Sequence, residues 1–446
     1  MFRPADSPGN KTKPQFSPRR IYWEVTRGCN LRCLHCRATP TELASPEDLS
    51  TDQCKAIMNQ IAVVGHPVLV LTGGEPLFRT DIYELGSYGR SRGFRMGLAT
   101  NGTLVTPGVA RRIVEAGFQK VGISLDGADA ATHDRFRQMP GAFEAAFAGF
   151  RALKAAGMSL QVNTSITTHN VHQLEEMLKM VQDLGAAAWH LFLLVPVGCG
   201  IQIAESMQVE AEEYERVLNW LYEKSRQVAM DLRAVCAPHY FRVRVQRQLL
   251  ERQSGERHPG ATGPAASETW TQSPSALTIR RGCLAGSSMC FISHKGEVFP
   301  CGYLPVMAGD LREETFAEIW EDSPVFLNLR DPDRLEGRCG RCEFRTLCVG
   351  CRARAYGMTG DYLAEEPFCL YQPGVMEPAL IRNLEALVEE PQEGLTLSWS
   401  DQARTGLERI PFVLRRQMIR MVEGYALSHQ ISLITPEIMQ RARESN

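Results

Sequence analysis

The chain has 446 residues, 49 Lys and Arg against 51 Asp and Glu, a net charge of -2 and 44% hydrophobic residues. That length exceeds what one hydrophobic core serves, so two or three domains are expected. The balanced charge excludes an overall basic field for nucleic acid or anionic lipid. No apolar run is long enough to span a bilayer, and the polar, proline-bearing start lacks the apolar core of a signal peptide, so a cytoplasmic protein is expected. Disulfides are rare there, and the fourteen cysteines therefore read first as metal ligands.

In chain order, residues 1–18 are predicted to be disordered, and a β-rich run, IYWEVT, opens at Ile21. Directly after it, EVTRGCNLRCLHCR places Cys29, Cys33 and Cys36 within eight positions. A structural zinc site wants four ligands in a closed tetrahedron, and a [4Fe-4S] cube offers four irons to be capped. Three thiolates leave one corner open, which marks chemistry. Further β-rich runs start at Val68 (VLVLTGG), Arg95 (RMGLATNG), Lys120 (KVGISLDG), Leu160 (LQVNTSIT) and Trp189 (WHLFLLVP). Amphipathic stretches such as DQCKAIMNQIAVVG and VHQLEEMLKMVQDLG separate them, so a βα unit repeats about six times. That alternation predicts a parallel sheet whose working edge is the carboxyl end of its strands. The cysteine triplet and the glycines of LTGGEP, TNGT and SLDG fall at that edge. Gly73 and Gly74 let the backbone approach a ligand closely, and Glu75 can accept hydrogen bonds from an ammonium group. Asn101 and Asn163 lie at strand ends.

The barrel is expected over 19–240. A connecting segment follows over 241–280, rich in Gly, Pro, Ser and Thr from Glu251 to Ser275. Residues 281–376 carry eight cysteines between Cys283 and Cys369 and are expected to be organised by metal. A linker over 377–396 leads to a small helical domain over 397–446, with a cap-like Thr435-Pro436 and an interruption at Ile410-Pro411. Cys54 reads as a buried apolar residue, and Cys199 and Cys236 receive no role.

The C-x3-C-x2-C triplet after a first strand, with GGEP after the second, resembles the radical S-adenosylmethionine (SAM) superfamily. The resemblance implies a partial (β/α)6 TIM-like barrel of α/β class and a [4Fe-4S] cluster on Cys29, Cys33 and Cys36, whose open iron is chelated by SAM. It also implies SAM contacts from His35, Gly73, Gly74, Glu75, Ser124, Arg137 and Asn163. Electron transfer to the sulfonium would then break a C-S bond and yield a 5'-deoxyadenosyl radical. The second cysteine region is similar to the SPASM extension, with two auxiliary clusters. By that likeness Cys283, Cys290, Cys301 and Cys351 hold the inner cluster, and Cys339, Cys342, Cys348 and Cys369 the outer. The complement would be three [4Fe-4S] clusters. The Cys348-x2-Cys351 spacing departs from the usual three intervening residues, which leaves open the cluster that Cys351 serves. The alternative for these thiols is a zinc ribbon.

Four stretches, among them CAPHYFRVRVQRQ and CGRCEFRTLCVGCRARAYGMTGDYLAEEPFCLYQP, resemble the anaerobic heme b synthases of the siroheme-dependent route. That class converts two propionates of iron-coproporphyrin III to vinyls, with a small electron donor such as flavodoxin or ferredoxin. A flat, apolar tetra-anion wants arginines at its rim. The candidates are His239, Tyr240, Arg242 and Arg244, with Arg352 and Arg354 in CRARAY, and alternation in FRVRVQR aims Arg242 and Arg244 to one side. The other readings are a didecarboxysiroheme deacetylase, a heme d1 maturation enzyme, a SPASM peptide maturase or a pure electron carrier. Trp399, the IPFV from Ile410 and the closing ITPEIMQRA resemble the C-terminal domain of the light-independent protochlorophyllide reductase B subunit.

Overall fold

A computed structural model describes residues 16–42, 44–254 and 282–376, and part of 398–444. Residues 1–15 of the expected disordered start, the Gly/Pro-rich excursion beyond Ser254, the 377–396 linker and Ile410-Pro411 lie outside the described residues, whereas Phe16 O accepts from Trp320 Nε1 at 3.0 Å. The chain divides into two compact units, Met1–Val388 and Glu389–Asn446.

In the first unit, strands β1 (Arg20–Glu24), β2 (Val68–Thr72), β3 (Arg95–Thr100), β4 (Lys120–Ser124), β5 (Ser159–Ile166), β6 (Ala188–Leu193) and β7 (Asp231–Val235) pair in sequence order, all parallel. The six runs read from the sequence are all present. β7 was missed, because DLRAV is short, carries two charges and sits at the sheet edge, where burial does not impose an apolar run. The sheet stays open; no pairing joins β7 back to the other edge among the described residues.

Burial alternates along β5: Leu160, Val162, Thr164 and Ile166 are buried under the helix layer, whereas Gln161, Asn163 and Ser165 are only partly covered. The helices form the outer layer. The first, Thr51–Val64, is started by a capping box of Ser50 and Gln53 and buries Cys54, Ile57, Met58 and Ile61. Cys54 is thus the apolar core residue expected.

The cysteine-rich extension does not stand apart from this sheet. Its strand β8 (Met289–Ile292) pairs parallel with β1, Ile21 opposite Cys290, and β9 (Glu297–Phe299) and β10 (Gly309–Asp310) extend it antiparallel. Among the described residues one ten-stranded sheet results.

FRVRVQR is not a strand. It lies in the helix Tyr240–Ser254, where residues two apart fall about 200° around the axis by the helical period. Arg242 and Arg244 therefore do not share a side. In the second unit, β11 (Ser398–Trp399) pairs parallel with β12 (Leu433–Ile434), and a helix runs from Pro436 to Glu444, starting at the expected Thr435-Pro436. Trp399 is buried there and donates from Nε1 to Glu423 at 2.9 Å.

Candidate iron-sulfur and cofactor site

The loop after β1 carries Cys29, Cys33 and Cys36, whose side chains pack together with Leu31 and Met139. Backbone hydrogen bonds give the loop its shape: Cys29 N donates to Thr41 O at 2.9 Å and Cys36 N to Cys33 O at 3.2 Å. Leu31 N donates to Cys29 Sγ at 3.4 Å, and Arg137 Nη1 to Cys33 Sγ at 3.5 Å. Burial pushes the Cys29 thiol up to about 12. A metal group binding here would displace that proton and supply the charge compensation the site lacks.

The GGEP segment is held against this loop. Gly74 N donates to Thr26 O at 2.8 Å and Glu75 N to Gly28 O at 2.7 Å. A Cβ on Gly74 would meet Gly28 O at 2.4 Å and Cys29 Cβ at 2.8 Å, and one on Gly73 would meet Thr26 O at 2.7 Å. Both glycines are therefore required by the packing of the cysteine loop, a reason the sequence did not disclose. Glu75 is fully buried and accepts from Thr100 Oγ1 at 2.7 Å, Asn101 N at 2.8 Å and Leu77 N at 3.1 Å. Burial nevertheless raises its carboxyl to about 7. Asn101 anchors a turn, donating to Asn30 Oδ1 and accepting from Thr103 N, both at 2.9 Å.

His35 stacks on Phe136 with ring centroids 4.2 Å apart and planes 7° from parallel. Burial drives its imidazole down to about 3, so it is neutral, and Nδ1 has no hydrogen-bond partner. Beside it Asp126 pairs with Arg137 Nη2 at 2.5 Å and accepts from Ser165 N at 2.7 Å. Arg137 Nε is also buried without a hydrogen-bond partner. Orphaned donors and acceptors next to an open-cornered thiol triplet fit a polar cofactor. Asp126, the acid of SLDG, was not picked out from the sequence; its signal was a carboxylate at a strand end, eleven residues before an arginine. Ser124 and Asn163 stand opposite each other in the β4–β5 register, and Asn163 Oδ1 accepts from Gln161 Nε2 at 2.6 Å.

Two further thiol sets lie in the extension. Cys339, Cys342, Cys348 and Cys369 line one pocket, partly open to solvent, with His239, Arg242 and Tyr371. Glu366 N donates to Cys339 Sγ at 3.2 Å and Phe344 N to Cys342 Sγ at 3.4 Å. In the other set, Cys283, Cys301 and Cys351 pack around Val195, Val197, Leu304 and Ala353. Cys351 thus packs with this set. Cys290 does not: its side chain lies in the main core under the helix layer, fully buried. Cys236 is packed with the inner three instead. Among the described residues no three His, Cys, Asp or Glu converge on a single ion.

The rim candidates are largely corrected by the structure. His239 is fully buried, with neither ring nitrogen hydrogen-bonded, and lines the outer thiol cavity. Burial and the charges of Arg354 and Arg242 drive it down to about 3. Tyr240 is a core residue. Arg242 is buried and pairs with Glu215 at 2.8 and 2.5 Å beneath the same cavity. Arg352 and Arg354 are wholly buried: the first donates to the carbonyls of Tyr362 and Ala364, the second pairs with Glu366 at 3.1 Å. Arg244 alone stays partly exposed, over the Phe241 ring at 5.9 Å.

Cys199, directly before the helix Gly200–Met207, donates from Sγ to Ala38 O at 3.2 Å and braces the first loop. Another missed group is Glu24, at the end of β1, which pairs with Arg37 at 2.8 Å and lies 3.3 Å from His294. Arg37 also caps the Phe291 ring of β8 at 4.3 Å.

A parallel sheet bearing an open three-thiol loop at its carboxyl edge, followed by two more thiol sets, defines an iron-sulfur enzyme. Residues 23–184 match the Radical SAM superfamily, 283–343 an iron-sulfur cluster-binding domain (SPASM), and 399–443 the proto-chlorophyllide reductase 57 kD subunit. The chain is 46% identical over 358 residues to the AdoMet-dependent heme synthase of Methanosarcina barkeri, covering 80% of this chain and 98% of that protein. It is 43% identical to the protein of that name from Nitratidesulfovibrio vulgaris, covering 83% and 97%, and 33% identical to the pre-heme d1 synthase of Dinoroseobacter shibae, covering 78% and 85%. Streptococcus suis SuiB bound to precursor peptide SuiA shares the fold at a TM-score of 0.60 and 16% identity, covering 80% and 77%. The chain belongs to the radical SAM superfamily and is a radical SAM enzyme with a SPASM domain.

Proposed function

We propose that this enzyme forms heme b by oxidative decarboxylation of two propionates of iron-coproporphyrin III, using three [4Fe-4S] clusters and SAM. One observation carries the reading: identity of 46% extending over 98% of a protein named AdoMet-dependent heme synthase, against 33% to a pre-heme d1 synthase. When bound at Cys29, Cys33 and Cys36, the cluster and SAM supply a radical that takes one hydrogen atom from the propionate β carbon. Loss of CO2 and one further electron then leaves the vinyl. Cys29, Cys33 and Cys36 hold the group; Gly73 and Gly74 press the GGEP backbone against it; Glu75, His35 and Arg137 offer polar contacts to the cofactor; Ser124 and Asn163 continue that edge. The auxiliary clusters held by the extension would accept the released electron and pass it on. The enzyme would work in the cytoplasm with a flavodoxin or ferredoxin as donor; among the described residues no helix is long and apolar enough to cross a membrane.

The test is anaerobic turnover of iron-coproporphyrin III with mass detection. Two successive losses of CO2 plus two hydrogens, each with one 5'-deoxyadenosine, are expected. SAM cleavage that leaves this porphyrin intact while converting didecarboxysiroheme would assign the chain to the sister reaction.

A further inference from the structure

We infer that Cys236 is a ligand of the inner auxiliary cluster, completing with Cys283, Cys301 and Cys351 a closed set of four thiolates, and that Cys290 is not a ligand. The inference deepens the reading of the extension as an iron-sulfur domain and rests on it.

Strand geometry removes Cys290. It sits in β8 opposite Ile21, and neighbouring residues of a strand point to opposite faces. Its face is that of Ile292, buried in the main core with Ile21 and Trp23. A ligand there would have to leave the sheet.

The same geometry brings Cys236 in. It follows β7 directly, and its side chain packs in one cluster with those of Cys283, Cys301 and Cys351. Its backbone is left-handed at φ 57°, a conformation that few residues other than glycine hold, so the surroundings impose it. The imposing groups are visible. Arg354 donates to Cys236 O at 2.6 Å and is paired with Glu366, and Glu366 accepts from Cys351 N at 2.8 Å. One buried ion pair therefore sets the backbone of both cysteines. On the other side, Val349 and Gly350 are both left-handed at φ 66°, a tight turn that sends Cys348 to the outer set and Cys351 to the inner.

Four thiolates cap all four irons of a cube. The inner cluster would then have no open iron for substrate, and its role would be electron transfer. The sequence hid this because Cys236 precedes the extension by more than forty residues and reaches it only through the fold.

The experiment uses the full-length chain, reconstituted anaerobically with iron and sulfide, with iron content and reduced-state EPR spectra compared among variants. The wild type should carry about twelve irons in three cubes. Cys290→Ala should match it in both readouts, whereas Cys236→Ala should lose the inner-cluster signal and up to about a third of the iron. A Cys236→Ala protein indistinguishable from wild type would overturn the assignment, and so would loss of the inner signal in Cys290→Ala. A wild type saturating at about four irons would instead overturn the iron-sulfur reading of the extension itself. Should the alanine variant not fold, wild-type protein decides: iodoacetamide should modify Cys236 only after the iron is chelated away. Equal modification with and without iron would refute the ligand role.

Discussion

At the scale of single residues, the first site depends on what is missing as much as on what is present. Gly74 has carbonyl oxygens and a cysteine Cβ where its own Cβ would go. Those atoms are backbone or ligand and cannot swing aside. Gly74→Ala should therefore lower stability by about 1–3 kcal/mol, as overpacking does, and reduce iron bound at the cysteine loop. Gly65 is the control, since it is extended at φ 166° with open space around it. Gly65→Ala should leave the iron content unchanged. The buried Glu24 makes a second residue-scale test. Burial raises its carboxyl, but the Arg37 charge and the nearby His294 outweigh this and lower it from 4.5 to about 2. A depressed acid contributes its stability above its unfolded value and loses it as pH falls through the folded one. Glu24→Gln, which leaves Arg37 buried without its counter-charge, should destabilise by about 3 kcal/mol at pH 7. In chemical denaturation the gap from wild type should narrow only below about pH 4.5.

At the scale of elements, the helix Tyr240–Ser254 changes what its arginines are for. Read as a strand, Arg242 and Arg244 would grip one substrate; wound as a helix, they separate, and Arg242 turns under the outer thiols. There it is paired with Glu215 and lies 5.5 Å from the Tyr371 ring centroid. A fixed positive charge beside a cluster favours its reduced state, as the charge and hydrogen-bond environment of iron-sulfur groups sets their potentials. Arg242→Gln should accordingly shift the outer-cluster midpoint to a more negative value in a potentiometric EPR titration. The SAM-cluster midpoint should hold still. Equal shifts in both would point to a general loosening of the fold.

At the scale of the molecule, β1 is shared. It pairs with β2 of the barrel on one side and β8 of the extension on the other, and the first cysteine loop springs from its end. Tyr303, two residues after Cys301, packs with the inner thiols. The loop cysteines themselves take no part in the β1–β8 pairing. Replacing Cys29, Cys33 and Cys36 together by alanine should thus abolish 5'-deoxyadenosine formation while about eight irons remain in the extension, read by iron assay and EPR. Retained SAM cleavage would place the open-cornered site elsewhere.

The sequence by itself determined the parts whose signal is local. Six strands were legible because alternating or apolar runs bounded by turns depend only on neighbours in the chain, and so was the C-x3-C-x2-C loop with its open corner. The fate of Cys54 and the start of the last helix at Pro436 were legible for the same reason. Only the tertiary structure decided which thiols meet. Cys236 and Cys290 are both plain cysteines in sequence, and the face of one strand and a left-handed turn held by Arg354 and Glu366 separate their fates. Likewise Arg352, Arg354 and His239 looked like recognition groups because they are polar. All three are buried in the structure, since burial is a property of the packed chain and of no single segment within it.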